Sequence, residues 1–310
     1  MNSAGKKKRA PRNRTLELSP EDTARLEKKL VTPGVSIIDP VDALIVGEAS
    51  ETLPLLPRES YDLLFADPPY NLTKNFGKSS FREVAPEVYE EFLDEWLSKA
   101  VPLLKPTASV YICGDWRSSA AIQNVGSKYL TLRNRITWER EKGRGSKTNW
   151  KNSSEDIWFF TVSGDYTFHA DAVKLKRRVL APYTEGGQPK DWEEEPEGRF
   201  RLTHPSNIWT DITVPFWSMP ENTDHPTQKP EKLLAKLILA STNEGDLILD
   251  PFLGSGTSAV TARKLGRRFT GIEIDKRYLL LAAKRLEIAE REPGIQGFEE
   301  GVFWERNTKP

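Results

Sequence analysis

The chain has 310 residues, with 45 Lys and Arg against 45 Asp and Glu, so its formal net charge is zero, and it holds one cysteine and three histidines. That length suits one large α/β domain, or a catalytic domain carrying a smaller insertion. The longest apolar runs, such as 279–283, fall far short of the roughly 18 residues a membrane span needs, and residues 1–14 have no apolar signal region. A soluble cytoplasmic protein that does not enter a membrane is expected. The lone Cys113 excludes an internal disulfide and a thiolate zinc cluster, and is expected as a small buried side chain.

In chain order, residues 1–16 read as a disordered basic arm, with Lys6, Lys7, Lys8, Arg9, Arg12 and Arg14 and no acid before residue 15. Ser19-Pro20-Glu21 reads as a capped helix start, with the helix running to about Leu30. Strand-like segments follow at 43–46 and 62–66, then a helix at about 86–104 with Val88, Phe92, Trp96 and Val101 as its inner face, and a strand at 109–113. A basic stretch through Arg133, Arg135, Arg140, Lys142, Arg144, Lys147 and Lys151 carries Trp138 and Trp150 among its cations, and Lys174, Lys176, Arg177 and Arg178 follow. Cations mixed with aromatics suit phosphate contact and base stacking, and equally suit an ordinary solvated face.

From about 139 to 223 the periodicity fades, apart from a strand-like run at 157–162. Order returns with a helix at 230–239, a strand at 247–249, a helix at 258–265, a strand at 269–272 and a last helix from about 277. Strands alternating with helices predict an α/β fold with a doubly wound, mostly parallel sheet. The expected divisions are a basic arm (1–16), a first half of the main domain (17–139), an inserted recognition segment (140–223), a second half (224–292) and a C-terminal tail (293–310).

Two motifs carry chemistry. In "LILDPFLGSGTSA" a strand runs into Gly254-x-Gly256-x-x-Ala259 and then a helix, a nucleotide-binding turn whose glycines allow a tight bend and close ligand approach. Glu273 and Asp275 lie 17 and 19 residues beyond Gly256, near the roughly 20 at which an acid takes ribose hydroxyls. Such a turn is shared by dinucleotide enzymes and other adenosine-cofactor proteins, and by plain strand–helix packing. In "FADPPY" a short apolar run ends in Asp67, Pro68, Pro69 and Tyr70. Methyl transfer to an exocyclic amine asks for such a set: Asp67 and the Pro68 carbonyl accept the two N–H groups, the proline pair stiffens the loop, and Tyr70 offers a ring to a base rotated out of its duplex. A proline turn capped by Asp is the plainer alternative.

Together the motifs resemble the β class of amino-methylating DNA methyltransferases: "DPPY" at 67–70, "HPTQKP" at 225–230 and "DPFLGSGT" at 250–257, with the catalytic motif ahead of the cofactor motif. The resemblance covers roughly residues 40–290. It implies a Rossmann-like fold dependent on S-adenosylmethionine, with Asp67, Pro68, Pro69 and Tyr70 at the target amine. It implies cofactor contacts from Asp67, Phe252, Gly254, Ser255, Gly256 and Thr257, from Asp250 near the methionine end, from Glu273 on the ribose, and from Thr227 and Lys229 on the methionine carboxylate. His225 opens the HPTQKP motif and reads as structural. Glu48, in "LIVGEAS", stands where the family carries Asp beside the cofactor adenine. The aspartate of DPPY resembles the adenine-N6 members, with cytosine-N4 methylation and a DNA-binding regulator with a vestigial methyltransferase fold as alternatives. A nicotinamide dehydrogenase leaves DPPY and HPTQKP without a purpose. Expected partners are double-stranded DNA, a second copy of the chain and a cognate restriction endonuclease, with DNA contacts from Arg140, Lys142, Arg144, Lys147, Trp150 and Lys151.

Overall fold

The computed structural model describes residues 10–34, 39–72, 74–76, 79–144, 147–180 and 183–306. Most of the basic arm, Lys6 to Arg9 included, lies outside the described residues, as do the side chains of Lys142 and Arg144.

The strands of the central sheet are β1 (Leu30–Val31), β2 (Ala43–Val46), β3 (Tyr61–Ala66), β4 (Leu104–Gly114), β5 (Thr131–Arg144), β6 (Asn152–Thr161), β7 (Ile208–Trp209), β8 (Leu247–Asp250) and β9 (Arg268–Glu273). They lie in the order β1-β2-β9-β8-β3-β4-β6-β5-β7. Every neighbouring pair from β1 to β4 is parallel, β6 alone runs against the rest, and β7 returns parallel to β5. Helices α1 (Pro20–Leu26), α2 (Ala49–Thr52), α3 (Pro86–Ala100), α4 (Ser119–Tyr129), α5 (Glu231–Ser241), α6 (Thr257–Lys264) and α7 (Lys276–Ala289) join them. Two apolar clusters cover the two faces of the sheet, one with Leu93, Trp96 and Leu97 of α3 and Ile122 of α4, the other with Leu234 and Leu237 of α5, Ala259 of α6 and Leu279 of α7. Parallel strands buried on both faces read as near-continuous apolar runs, as in Leu63-Leu64-Phe65-Ala66. Cys113 is fully buried in β4. Among the described residues no helix is long and apolar enough to cross a membrane.

Several expectations change. Ser19 caps α1 in a capping box with Asp22, but the α-helix stops at Leu26 and one 3-10 turn, Glu27–Lys29, precedes β1. Helix α3 ends at Ala100, and its buried face is Tyr89, Leu93, Trp96, Leu97 and Ala100, with Val88 49% exposed. Trp96 lies inward as expected and Phe92 and Val101 pack against the same core, whereas Val88 leads away from the stripe that Tyr89, Leu93, Trp96, Leu97 and Ala100 form at spacings of three and four.

Strand β5 was hidden by its charges. Ile136 and Trp138 alternate inward while Arg133 and Arg135 point out, Arg133 donating to Thr161 and to the Ser163 carbonyl, each at 2.9 Å, and Arg135 lying 3.8 Å from Asp156. Lys174 and Lys176 pair with Asp171 and Glu195, and Arg178 donates to the Glu197 carbonyl.

Strands β6 and β7 come from within residues 140–223. The rest of that stretch supplies Leu175–Arg178, Glu193–Glu195 and Gly198–Thr203 to a second sheet, which Phe298–Glu299 and Val302–Trp304 complete. Residues 293–306 are therefore not simply a tail: Phe303 is fully buried against α5 residues and Val173. Nor is the arm loose up to residue 16, because Arg14 and Leu16 donate their backbone N–H groups to the carbonyls of Trp217 and Asn222.

Gly256 caps α6 with φ of 86°, and a Cβ there would stand 2.4 Å from the Cβ of Ala282 on α7. The left-handed backbone and the contact both exclude a side chain. Gly256→Ala is predicted to cost about 2 kcal/mol or more through strain and overpacking, read as a lowered midpoint in urea unfolding.

Candidate active site

In a parallel sheet the carboxyl ends of the strands share one edge, which is where ligands bind in open α/β folds. Here the ends of β2, β9, β8 and β3 deliver Gly47 and Glu48, Glu273, Asp250, and Asp67 to that edge. Antiparallel β6 begins there, with Asp156 opposite Gly114. These residues line one cavity of about 680 Å³, together with Pro68, Pro69, Tyr70, Arg140, Glu155, His225, Thr227, Lys229, Phe252, Gly254, Ser255 and Thr257. The structure thus brings the three sequence motifs into one chamber.

At one end stands the glycine turn. Gly254, with φ of 54°, lies against His225, where a Cβ would come 3.0 Å from Nε2, so the turn presents bare backbone. Its N–H donates to Glu273 Oε2 at 2.9 Å, and the Asp275 N–H donates to Oε1 at 2.8 Å. Each oxygen keeps a second lone pair for another donor, such as a ribose hydroxyl. Burial pushes the Glu273 carboxyl up. Glu48 caps α2, its Oε2 accepting from the Glu51 N–H at 3.1 Å and the Ser50 hydroxyl at 2.6 Å. Phe252 stands edge-on to Trp96, ring centroids 5.2 Å apart, and His225 edge-on to Tyr278 at 4.5 Å. Beneath the turn, the buried Arg285 donates to the Ser255 carbonyl at 2.9 Å, to the Thr257 hydroxyl at 3.0 Å and to Glu231 at 2.9 Å.

At the other end stands the DPPY loop, held from three sides. The Tyr89 hydroxyl donates to the Pro69 carbonyl at 3.0 Å, and the Asn71 N–H to the Ser118 hydroxyl at 3.2 Å. The Asn71 side chain takes both backbone groups of Val84, at 2.9 and 2.8 Å. Asp67 Oδ2 accepts from the Lys229 ammonium at 2.5 Å, and Oδ1 accepts from the Tyr70 hydroxyl at 2.9 Å. That hydroxyl and that ammonium also reach Glu155 Oε2, at 3.1 and 3.3 Å, while Arg140 donates to Glu155 Oε1 at 2.6 Å.

Burial raises the Asp67 carboxyl above its ordinary range, against the pull of Lys229. Burial would raise Glu155 too, but Lys229 and Arg140 outweigh it and hold that group low. Burial would lower Lys229, yet Asp67 and Glu155 keep it firmly protonated. Lys229 was expected at the methionine carboxylate; its charge is already shared by these two acids, and its side chain is 5% exposed.

Arg140, expected at DNA, turns into the cavity onto Glu155. Lys147, Trp150 and Lys151 are exposed on the loop between β5 and β6, Trp150 at 93%. Sequence reasoning missed Glu155, Asn71 and Arg285. The available signal for Glu155 was an acid abutting the apolar run at 157–162; for the others there was none.

A family model described as DNA methylase matches residues 61–284. The chain is 34% identical over 253 residues to the DNA adenine methyltransferase YhdJ of Escherichia coli strain K12, covering 79% of this chain and 83% of that protein. It is 33% identical over 247 residues to the type II methyltransferase M.HpaI of Haemophilus parainfluenzae, covering 79% and 74%. Among solved structures it resembles the cytosine-N4-specific PvuII DNA methyltransferase, with a TM-score of 0.58, 18% identity and 81% and 89% coverage. It also resembles the TTHA0409 protein of Thermus thermophilus, solved with S-adenosyl-L-methionine, with a TM-score of 0.55, 23% identity and 86% and 99% coverage. The chain belongs to the DNA methylase family. Its fold is that of the S-adenosylmethionine-dependent DNA methyltransferases, an α/β fold with a mostly parallel central sheet.

The cavity also carries a pH signature. Burial pushes Asp250 from 3.8 up to about 7, although its carboxylate accepts from the Phe252 N–H and the Ser258 hydroxyl. A carboxyl whose folded pKa is raised binds its proton more tightly in the fold, so its contribution to stability is present in acid and lost as pH rises through about 7. Asp250→Asn is predicted to gain stability relative to the wild type as pH goes from 4 to 7 in ligand-free protein. Thermal unfolding across that range checks it, and a difference independent of pH counts against a raised Asp250.

Proposed function

We propose that the protein transfers a methyl group from S-adenosylmethionine to N6 of an adenine rotated out of double-stranded DNA. The observation that carries this is one cavity with the Asp67-Pro68-Pro69-Tyr70 loop at one end and the Gly254 turn with Glu273 at the other. The name of YhdJ supports adenine over the cytosine of the PvuII enzyme, whose likeness extends to the fold alone.

The residues present fit the cofactor: bare backbone at Gly254, carboxylates at Glu273 and Glu48 for hydroxyl and amine donors, and an aromatic face at Phe252. Glu273 would hold the ribose, Glu48 and Phe252 the adenine end, and Gly254, Ser255, Gly256 and Thr257 the backbone cradle, with Asp250 near the methionine end. Thr227 and Lys229 would hold the methionine carboxylate, Lys229 by sharing an ammonium already on Asp67 and Glu155. When bound, S-adenosylmethionine supplies a methyl group on a positively charged sulfur.

The adenine amine is a poor nucleophile because its lone pair is delocalised into the ring. Two acceptors on its N–H groups draw the nitrogen toward a tetrahedral, attacking shape. Asp67 is one acceptor. Tyr89 occupies the Pro69 carbonyl, so within the proline pair the Pro68 carbonyl is the second. Tyr70 gives the base a ring to lie on, fixed through its hydroxyl to Asp67 and Glu155. After transfer the nitrogen sheds a proton, and Asp67, raised by burial, takes it. His225 packs against the glycine turn rather than entering the chemistry. Lys147, Trp150 and Lys151 offer cations and an aromatic to the duplex beside the cavity, with Lys142 and Arg144 expected alongside them. This reading makes double-stranded DNA the substrate, and is compatible with a cognate restriction endonuclease and with a second copy of the chain as partners.

Asp67→Ala is predicted to lower turnover ~10³-fold or more by removing the principal acceptor, compared per mole of folded protein. Nucleoside mass spectrometry of unmethylated genomic DNA incubated with wild type and variant is the measurement. N6-methyladenine formed by wild type alone is expected, and N4-methylcytosine would overturn the base. Glu273→Ala is predicted to weaken S-adenosylmethionine binding ~10- to 100-fold, the worth of a hydrogen bond to a charged group, read by calorimetry without DNA.

A further inference from the structure

Glu155 belongs to none of the three motifs. It opens the apolar part of β6 at 6% exposure, in a position where a carboxylate costs several kcal/mol to bury. Its partners explain its presence. Oε1 carries Arg140, and Oε2 receives the Tyr70 hydroxyl and faces the Lys229 ammonium. Tyr70 and Lys229 are also the two groups bonded to Asp67. Two carboxylates therefore share one phenol and one ammonium, and the four charges of Asp67, Glu155, Lys229 and Arg140 cancel.

Without the charge on Glu155, Lys229 has one anion left to serve, and Tyr70 one carboxylate acceptor. An Asp67 engaged fully by both has less electron density to offer an amine N–H. We propose that Glu155 is a positioning residue for methyl transfer, drawing Lys229 and Tyr70 partly onto itself so that the Asp67 carboxylate stays open to the target amine. The role rests on the adenine-N6 reading above.

The groups facing Asp67 are Lys229 from the segment before α5, Tyr70 from its own loop, Glu155 from β6, Cys113 from β4, Asp250 from β8 and Tyr89 from α3. Removing one negative neighbour favours the ionised form of Asp67. Glu155→Gln keeps the shape and removes the charge. Two measurements test it on the full chain: methyl transfer from tritiated S-adenosylmethionine to unmethylated DNA across pH, and titration of Asp67 in the free protein by carboxyl ¹³C NMR, assigned with Asp67→Asn.

The expected result is a kcat lower by ~10²-fold, the scale of a misplaced catalytic group, with the acid limb of the rate and the Asp67 titration both moved to lower pH. The KM for S-adenosylmethionine should change far less than kcat. Glu155→Asp retains the charge, so it should restore part of kcat and keep the wild-type acid limb; it carries the test if the Gln variant does not fold. A merely structural role lowers kcat and leaves the Asp67 titration in place, and that result, or wild-type kcat in Glu155→Gln, overturns the proposal. If wild type makes no N6-methyladenine while the Asp67 titration shifts as expected, the adenine reading fails and the coupling of Glu155 to Asp67 stands.

Discussion

The buried ammonium of Lys229, set between the carboxylates of Asp67 and Glu155, is the interaction on which the site depends. An unpaired charge in a dry cavity costs far more than a paired and hydrogen-bonded one, so each member holds the others in place. The three come from the end of β3, the start of β6 and the segment before α5, and the cluster ties these elements at one point. The reversed direction of β6 makes this possible. Were β6 parallel to its neighbours, Glu155 would lie near the far edge of the sheet, ~20 to 30 Å away for a strand of this length. Antiparallel β6 instead puts its first residues where the other strands put their last.

The segment 223–230 joins this cluster to the cofactor end. Gln228 accepts from the N–H and hydroxyl of Thr223 and donates to the Glu221 carbonyl, while the Thr257 hydroxyl, at the start of α6, donates to the Lys229 carbonyl at 3.0 Å. Arg285 then links Thr257 to Glu231 in the first turn of α5. Lys229 presents its side chain to the DPPY loop and its backbone to the glycine turn. The two motifs are thereby fixed relative to each other, which a direct displacement between two bound molecules requires.

What could be read from the sequence was what is local in the chain. An apolar run ending in Asp67-Pro68-Pro69-Tyr70, and another ending in glycines before a helix, disclose a strand, a turn and their chemistry within a dozen residues. The alternation of strands and helices disclosed the parallel sheet. Glu155 meets Tyr70 across 85 positions and Arg285 meets Glu231 across 54, and no spacing rule reaches that far. Charge was ambiguous in a different way. The cations of β5 suit a nucleic-acid surface and a solvated face alike, because a strand with one buried face shows its polar residues in alternation whatever their purpose; Arg133 and Arg135 are exposed there while also reaching Thr161, Ser163 and Asp156. In α3 the expected face was found at Trp96, with Phe92 and Val101 packed beside it, and failed at Val88, whose place at the head of the stripe Tyr89 takes.

The same pairing ties the loop between β5 and β6 to the site. Of that basic stretch, Arg133 and Arg135 are exposed on β5 and Arg140 turns onto Glu155, while the loop after β5 carries the exposed Lys147 and Lys151, flanking Trp150. They lie between the end of β5, which carries Arg140, and the start of β6, which carries Asn152, Ser154 and Glu155 into the cavity. A loop whose two feet are joined by a 2.6 Å ion pair between Arg140 and Glu155 is not mechanically separate from the cavity. Glu155 in turn shares Lys229 and Tyr70 with Asp67. Arg140 is therefore joined to Asp67 through charged contacts of 2.5 to 3.3 Å, short enough that a shift at one end alters the electrostatics at the other.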